Sequence, residues 1–199
     1  MSNSTRITEL EALNTMLETI GSSSITNIDS PQNADALAAK GTLRLALKEV
    51  QSEKWWFNTE YNYPLIPNSG TGEIDIPVNI THIDYTGRFG DYRDLVIRGS
   101  RLYDKDNHTF IFTSTIYVNI RLSLEFDEIP EVAKLYVIMK ACRKFQDQMQ
   151  GDNAAHQFTR EDEGAARSNL VAEDIRQTKP SFGVLPRIDP NVGLDMRNI

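Results

Sequence analysis

The side chains in this sequence with the means to do chemistry are three histidines, one cysteine and a few grouped carboxylates. His82, His108 and His156 show neither HxxxH nor HExxH spacing, so none of them pairs with another across one helical turn to grip a metal ion. Cys142 stands alone, which excludes both a disulfide framework and a cysteine zinc site. Its apolar, helically spaced neighbours mark it as a small core residue. "DKDNHTF", residues 104–110, opens like a calcium loop but lacks that loop's glycine and its closing bidentate glutamate. Glu125, Asp127, Glu128 and Glu131 crowd into seven residues. Two carboxylates about 5 to 10 Å apart serve glycoside hydrolysis when one of them is held protonated. Acidic residues equally suit a helix start, where the dipole favours them, and that is the reading adopted. GxSxG, P-loop and GxGxxG patterns are absent. No catalytic residue, cofactor or metal site is therefore assigned.

The densest signal is aromatic. "EKWWFNTEYNYPL", residues 53–65, holds two tryptophans, a phenylalanine and two tyrosines. Such rings can form a stacking platform for sugars or bases, or brace a corner where helix meets sheet. With period 2, Phe57, Thr59, Tyr61 and Tyr63 share one strand face, and Trp56, Asn58, Glu60 and Asn62 the other. Three rings on one face suit packing better than an open platform. Trp55, Trp56, Phe57, Tyr61 and Tyr63 are accordingly assigned to a structural junction. Opposite parity predicts that one tryptophan is deeply buried and the other partly exposed.

The bulk numbers fit a globular chain: 199 residues, 40% hydrophobic and 25% charged, with a formal charge of −7. That charge is a poor basis for gripping DNA by phosphate neutralisation, though it suits a surface past which DNA slides. No apolar run approaches the roughly 20 residues of a membrane span. The opening "MSNSTRITELEAL" shows neither a basic nor an apolar signal region, so no secretory signal is read there.

Elements to position these residues can be read from periodicity. Residues 8–20 predict a helix, with Thr8 and Glu11 as a capping box, Leu10, Leu13, Leu17 and Ile20 as its stripe and Gly21 as its stop. A second helix is expected from the Ser30-Pro31 cap to about residue 52. Ala34, Leu37, Ala38, Gly41 and Leu45 lie along one of its sides and Leu43, Leu47 and Val50 along another, which predicts more than one neighbour. From 55 to 126 short β-rich runs alternate with glycine-rich turns, giving five to seven antiparallel strands. A third helix carries Val132, Leu135, Met139, Cys142 and Phe145 as its buried stripe, widened by Tyr136 and Ile138. A fourth, at about 153–177, has a thin apolar face of Phe158, Ala165, Leu170 and Ile175 and a charge run, "TREDEGAAR", read as solvated. Residues 178–199 hold three prolines but also Phe182, Val184, Leu185 and Ile188, too apolar for a plain tail; an extended assembly arm is expected.

The expected fold is thus α+β: a four-helix bundle-like domain from residues 1–54 and 127–178, an inserted antiparallel β domain at 55–126, and an extended C-terminal arm at 179–199. The expected function is structural. Two rivals are a cell-envelope glycan hydrolase using Glu60, Asp127 or Glu128, and a carbohydrate-binding module using exposed rings.

The same residues resemble a known family. "TELEALNTMLETIGSSSI" is similar to the opening helix and turn of tail tubular protein A, the head-to-tail adaptor or gatekeeper of short-tailed bacteriophages. "WWFNTE" resembles the aromatic pair plus Phe-Asn that follows its second helix. "RGSRLYD" and "LEFDEIPEVAKLYVIMKACRKFQDQMQG" resemble its Arg-Gly stretch and its acidic–Pro–Glu helix. The likeness is colinear over about residues 8–177. It implies a virion tail protein forming a twelve-membered homo-oligomeric ring, between the portal protein and the nozzle protein, tail tubular protein B. It implies tail fibres or other receptor-binding proteins attached at that level, and DNA passing through the centre without sequence-specific binding.

Overall fold

The computed structural model describes residues 6–29, 33–87, 93–149 and 153–178, with backbone alone for 153–159. The fold is α+β, with four helices and small antiparallel sheets among those residues. Helix α1 spans Glu9–Thr19. Its Thr8 hydroxyl accepts from the Glu11 N–H at 3.2 Å while the Glu11 carboxylate accepts from the Thr8 N–H at 2.8 Å, so two orphan donors of the first turn are satisfied reciprocally. Its end is a Schellman turn: Gly21, at φ 71°, lets Ser22 N–H reach Leu17 O at 3.0 Å and its own N–H reach Glu18 O at 3.1 Å.

Helix α2 spans Ala34–Ser52 and is capped by Asn33, whose Oδ1 accepts from Ala36 N–H at 2.6 Å. The expected Ser30-Pro31 start lies outside the described residues, and the helix begins three residues later than Pro31. Helix α3 is Glu131–Met149 and α4 is Asn153–Gln177. Helix α3 packs on α1, α2 and α4, and α1 also meets α2.

Between α2 and α3 lie β1 (Thr59–Leu65), β2 (Ile80–Tyr85), β3 (Leu95–Arg98), β4 (Arg101–Asp104) and β5 (Ile116–Leu122). Strands β1, β5 and β2 form one antiparallel sheet with β5 central, and β3–β4 is a separate hairpin. Gly99 opens the hairpin's two-residue turn at φ 67°, a conformation that glycine adopts without strain. "GEIDIPV" and "TFIFTS", expected as strands, contribute only single bridges: Glu73 to Ile111, Asp75 to Arg101, and Asp104 to Thr109.

Two hydrophobic clusters result. One joins α1, α2, α3 and Leu170 of α4 with Trp55, Phe126 and Ile129. The other gathers Leu65, Ile74, Ile76, Ile80, Ile83, Leu95, Leu102, Phe112, Ile116, Val118 and Ile120.

Several helix faces differ from their sequence reading. On α2 the Leu43–Leu47–Val50 side is buried, whereas Ala34, Leu37, Gly41 and Leu45 are exposed among the described residues; apolar spacing marks a face without saying what covers it. On α3 the stripe is rotated, with Ala133, Val137 and Ala141 buried and Leu135 exposed, because three neighbours claim most of its circumference. On α4 Leu170 is buried but Ala165 and Ile175 are exposed. The side chain of Phe158 and the expected arm, with Phe182, Val184, Leu185 and Ile188, lie outside the described residues. No described helix is long and apolar enough to cross a membrane.

Candidate functional site: the aromatic junction

The chain leaves α2 at Ser52 and enters β1 at Thr59. Trp55, only 4% exposed, fills the corner between them. Its indole N–H donates to Val50 O at 2.7 Å, capping a carbonyl in the last turn of α2. Trp56 and Phe57 are half-buried against the same cluster, stacked edge to face with ring centres 5.1 Å apart at 89°.

The polar residue in the middle of this run organises it. Asn58 is fully buried. Its Oδ1 accepts from Trp55 N–H at 3.0 Å and from the Thr59 hydroxyl at 3.2 Å. Its Nδ2 donates to Gln51 O at 3.0 Å and Glu53 O at 3.2 Å. All four bonding positions of one amide are used, which fixes the chain path from helix to strand. Gln51 makes the matching link to the other crossing: its amide donates to Leu124 O at 2.8 Å and accepts from Leu124 N–H at 2.7 Å. Leu122 N–H then bonds Asn58 O at 2.8 Å. The outgoing and incoming strands are thus tied to each other and to the end of α2.

Helix α4 closes the side of the junction. Asp174 accepts from Trp56 N–H at 2.8 Å. Arg167 grips Glu53 with both terminal nitrogens, each at 2.9 Å, and donates to the Tyr136 hydroxyl at 3.2 Å. This forked pairing holds the Glu53 carboxyl below its usual range against the opposing pull of burial, and raises Arg167 further. A groove of about 780 Å³ runs between Lys54, Trp55, Trp56, Thr59, Tyr61 and the end of α4.

Of the rings assigned from sequence, Trp55, Trp56 and Phe57 pack in the helical cluster and Tyr63 against the β cluster. Tyr61 is 62% exposed, outside both, with Lys54 Nζ 5.0 Å above its ring. The cause is a β-bulge. Glu60 pairs with Ile120 and Tyr63 with Val118, so Tyr61 and Asn62 together oppose Asn119. Asn62 takes φ 56° and bonds the Asn119 side chain at 3.1 Å. That extra residue breaks the period on which the shared face of Tyr61 and Tyr63 rested.

The carboxylates are differently placed. Glu60, Glu125, Asp127 and Glu128 are exposed, and Glu128 Oε2 accepts from Glu125 N–H at 2.8 Å in the short turn Phe126–Glu128. The flanking Phe126 and Ile129 point into the helical cluster instead of walling off these acids. Glu131 is used structurally: it accepts from Ile7 N–H at 3.0 Å and from Lys134 Nζ at 3.0 Å, while buried Lys134 donates to Ile7 O at 2.9 Å. Burial pushes the Glu131 carboxyl up, and the Ile7 N–H and Lys134 outweigh it to leave the carboxyl lowered. His82 bonds Asp84 at 3.0 Å on the surface, and His108 sits in a turn at φ 51°. That turn is closed by Asp104 accepting from Asn107 N–H and side chain, both at 2.9 Å. Among the described residues no group of three or more His, Cys, Asp or Glu side chains has the arrangement to hold a metal ion. Burial drives the Cys142 thiol up to about 12, making it inert. The junction couples helices to sheet through saturated hydrogen bonds. Sequence reasoning missed Gln51, Asn58, Arg167 and Asp174. Asn58 had one visible signal, a single amide set inside a run of rings.

A family profile described as tail tubular protein matches residues 10–180. The chain is also 26% identical over 172 residues to tail tubular protein A of Klebsiella phage KP34, a match that spans 86% of this chain and 89% of that protein.

Proposed function

From the fact that this chain belongs to the tail tubular protein family, and so is a component of a bacteriophage virion tail, we propose that it acts as the adaptor ring joining the portal protein to the tail nozzle. The observation that carries this reading is the family match over nearly the whole described chain. In the proposed assembly a homo-oligomeric ring, twelve-membered, surrounds the DNA path. The helical unit of residues 1–54 and 127–178 forms a four-helix bundle. The β unit of 55–126 is inserted into it, and an arm at 179–199 reaches a neighbouring subunit or the portal. The nozzle protein and tail fibres or receptor-binding proteins attach around the ring.

Two features support a load-bearing conduit subunit. The Asn58 and Gln51 amides tie both chain crossings between helices and sheet, so force on one part reaches the other without a free hinge. The charge of −7 per chain makes a ring of copies strongly acidic, which repels DNA and keeps it moving.

The test is the native mass of the purified full chain, alone and mixed with the portal of the same virion. A ring-sized species, or a defined complex with the portal, is the expected result. A chain that stays monomeric in both would refute the adaptor reading. Deleting residues 180–199 leaves helix content and melting nearly unchanged but weakens assembly; a truncated subunit that itself unfolds would mean the arm packs on its own chain.

A further inference from the structure

The outer sides of α2 and α4 both carry apolar or small residues that are largely exposed among the described residues. On α2, Ala34, Leu37, Gly41 and Leu45 recur at steps of three and four, with Leu37 64% and Leu45 53% exposed. A Cβ placed on Gly41 meets nothing within 4 Å. Arg44 and Lys48 stand on the same side, exposed and with no partner among the described residues. On α4, with 100° per residue, the side opposite buried Leu170 is formed by Gly164, Ser168, Ala172 and Ile175, and it starts at Glu161. Ile175 is 69% exposed, and a Cβ on Gly164 also meets nothing within 4 Å. The Ser168 hydroxyl is satisfied within the helix by Gly164 O at 2.9 Å, so it presents no unmet bond to a neighbour. Glu161 and Asp162 are exposed and unpaired among the described residues.

The two sides are complementary in size and in charge. Laid antiparallel, with Lys48 opposite Glu161, the helices bring Leu45 over Gly164, Gly41 over Ser168, Leu37 over Ala172 and Ala34 under Ile175. Each large residue meets a small one over a shared length of about 21 Å at 1.5 Å per residue. Arg44, one turn from Lys48, reaches the Glu161–Asp162 pair. Within one chain α3 packs on both α2 and α4, and the two sides in question are those turned away from it.

We infer that α2 of one copy packs antiparallel on α4 of the next copy of this chain. The contact is heterologous: each copy offers two different surfaces, one basic and one acidic at its charged end. Such contacts repeat head to tail and close into a ring when the rotation allows. This rests on the ring reading above and specifies the surfaces that build it. It also accounts for Gly41 and Gly164 in helix interiors, where glycine is otherwise unfavourable, as the positions of closest approach.

Cysteine pairing between separate chains tests it directly. Full-length Leu45→Cys and Gly164→Cys proteins are prepared separately, mixed and oxidised; the buried Cys142 does not compete. The mixture should yield a disulfide-linked dimer that neither protein forms alone, and the double variant a ladder of linked species. Rings that form without this cross-link overturn the interface while leaving the ring. A chain that associates neither with itself nor on the portal overturns both. In a second arm, Lys48→Glu and Glu161→Lys each weaken assembly by roughly fivefold per contact, the scale of one exposed ion pair, and the double reversal restores it. Two single reversals without effect, or a double reversal as weak as the singles with native circular dichroism, overturn the pairing. Stronger binding of a different virion protein to the α2 side than of this chain itself also overturns it.

Discussion

Replacing Asn58 with alanine removes four hydrogen bonds from the turn between α2 and β1. Their loss is unequal. Trp55 N–H and Gln51 O are buried and have no route to water, while Glu53 O and the Thr59 hydroxyl are part-exposed and recover solvent. Each orphaned buried group costs about 1 to 3 kcal/mol, so the two together predict a loss of about 4 kcal/mol. That is a large share of the roughly 5 to 15 kcal/mol that holds a typical domain. The assay is urea unfolding followed by tryptophan fluorescence, with Trp55 as an internal reporter, reading a fall in midpoint at constant slope. Asn58→Asp sharpens the test. It keeps the acceptor facing Trp55 N–H but sets a carboxylate against the Gln51 and Glu53 carbonyls. Burial and those carbonyls raise its folded pKa above the unfolded value, so the lost stability returns in part as pH falls and disappears again as pH rises through the folded pKa. A loss below about 1 kcal/mol for Asn58→Ala, or no acid recovery for Asn58→Asp, would sink the claim that this amide organises the junction.

Trp55→Ala should cost about 3 to 5 kcal/mol, the range for a fully packed aromatic, and Trp56→Ala distinctly less; denaturation midpoints compare the two, and equal small losses would instead indicate a surface platform. Asp127→Asn and Glu128→Gln should each change stability by no more than about 1 kcal/mol, the scale of lost cap and dipole contributions, with assembly intact by native mass; a glycan-cleaving activity of the wild type that vanishes in either variant would reverse the structural reading. Glu131, whose carboxyl is lowered from 4.5, stabilises the fold above its unfolded pKa, and this contribution is lost as pH falls through its lower folded value. The acid limb of a stability–pH curve should therefore be shallower in Glu131→Gln, and an unchanged limb would show that the Ile7–Glu131–Lys134 contact contributes nothing.

Much of the fold is legible because its signals are local. The Thr8–Glu11 box and Gly21 delimit α1 through side-chain and backbone bonds spanning only a few residues. The start of α2 is less so, because Ser30-Pro31 and Asn33 are both chemically sound beginnings, and the helix begins where the Asn33 side chain reaches Ala36 N–H. The face of Tyr61 was misplaced because alternation assumes an unbroken period, and a left-handed Asn62 interrupts it. The junction was visible in its rings but not in its polar bonds. Gln51 and Asn58 reach Leu124 and the end of α2 through one-off contacts that leave no periodic trace. The two outer helix sides show the opposite limit: the sequence states their apolar character clearly, but only the packed chain reveals that the described residues leave them exposed.

The order in which parts of the chain can fold as it is made follows from how the two hydrophobic clusters are drawn from it. The β cluster uses only residues from Leu65 to Ile120. The helical cluster needs Ala12 and Leu170 at once, and its first segment is held by Lys134 and Glu131, more than 120 positions downstream of Ile7. During synthesis α1 and α2 therefore leave the ribosome with their apolar sides only partly matched, against each other alone, and the sheet is the first part able to complete its interior. The helices close only after α3 emerges, a long-range closure of the kind that slows folding. A ribosome stalled far enough past residue 125 for β5 to have cleared the exit tunnel, with α3 still inside it, should accordingly display a protease-resistant sheet fragment with a still-cleavable amino-terminal stretch. In the proposed interface the outer sides of α2 and α4 are then presented together only by a finished subunit, so only a finished subunit could offer both contacts of a ring.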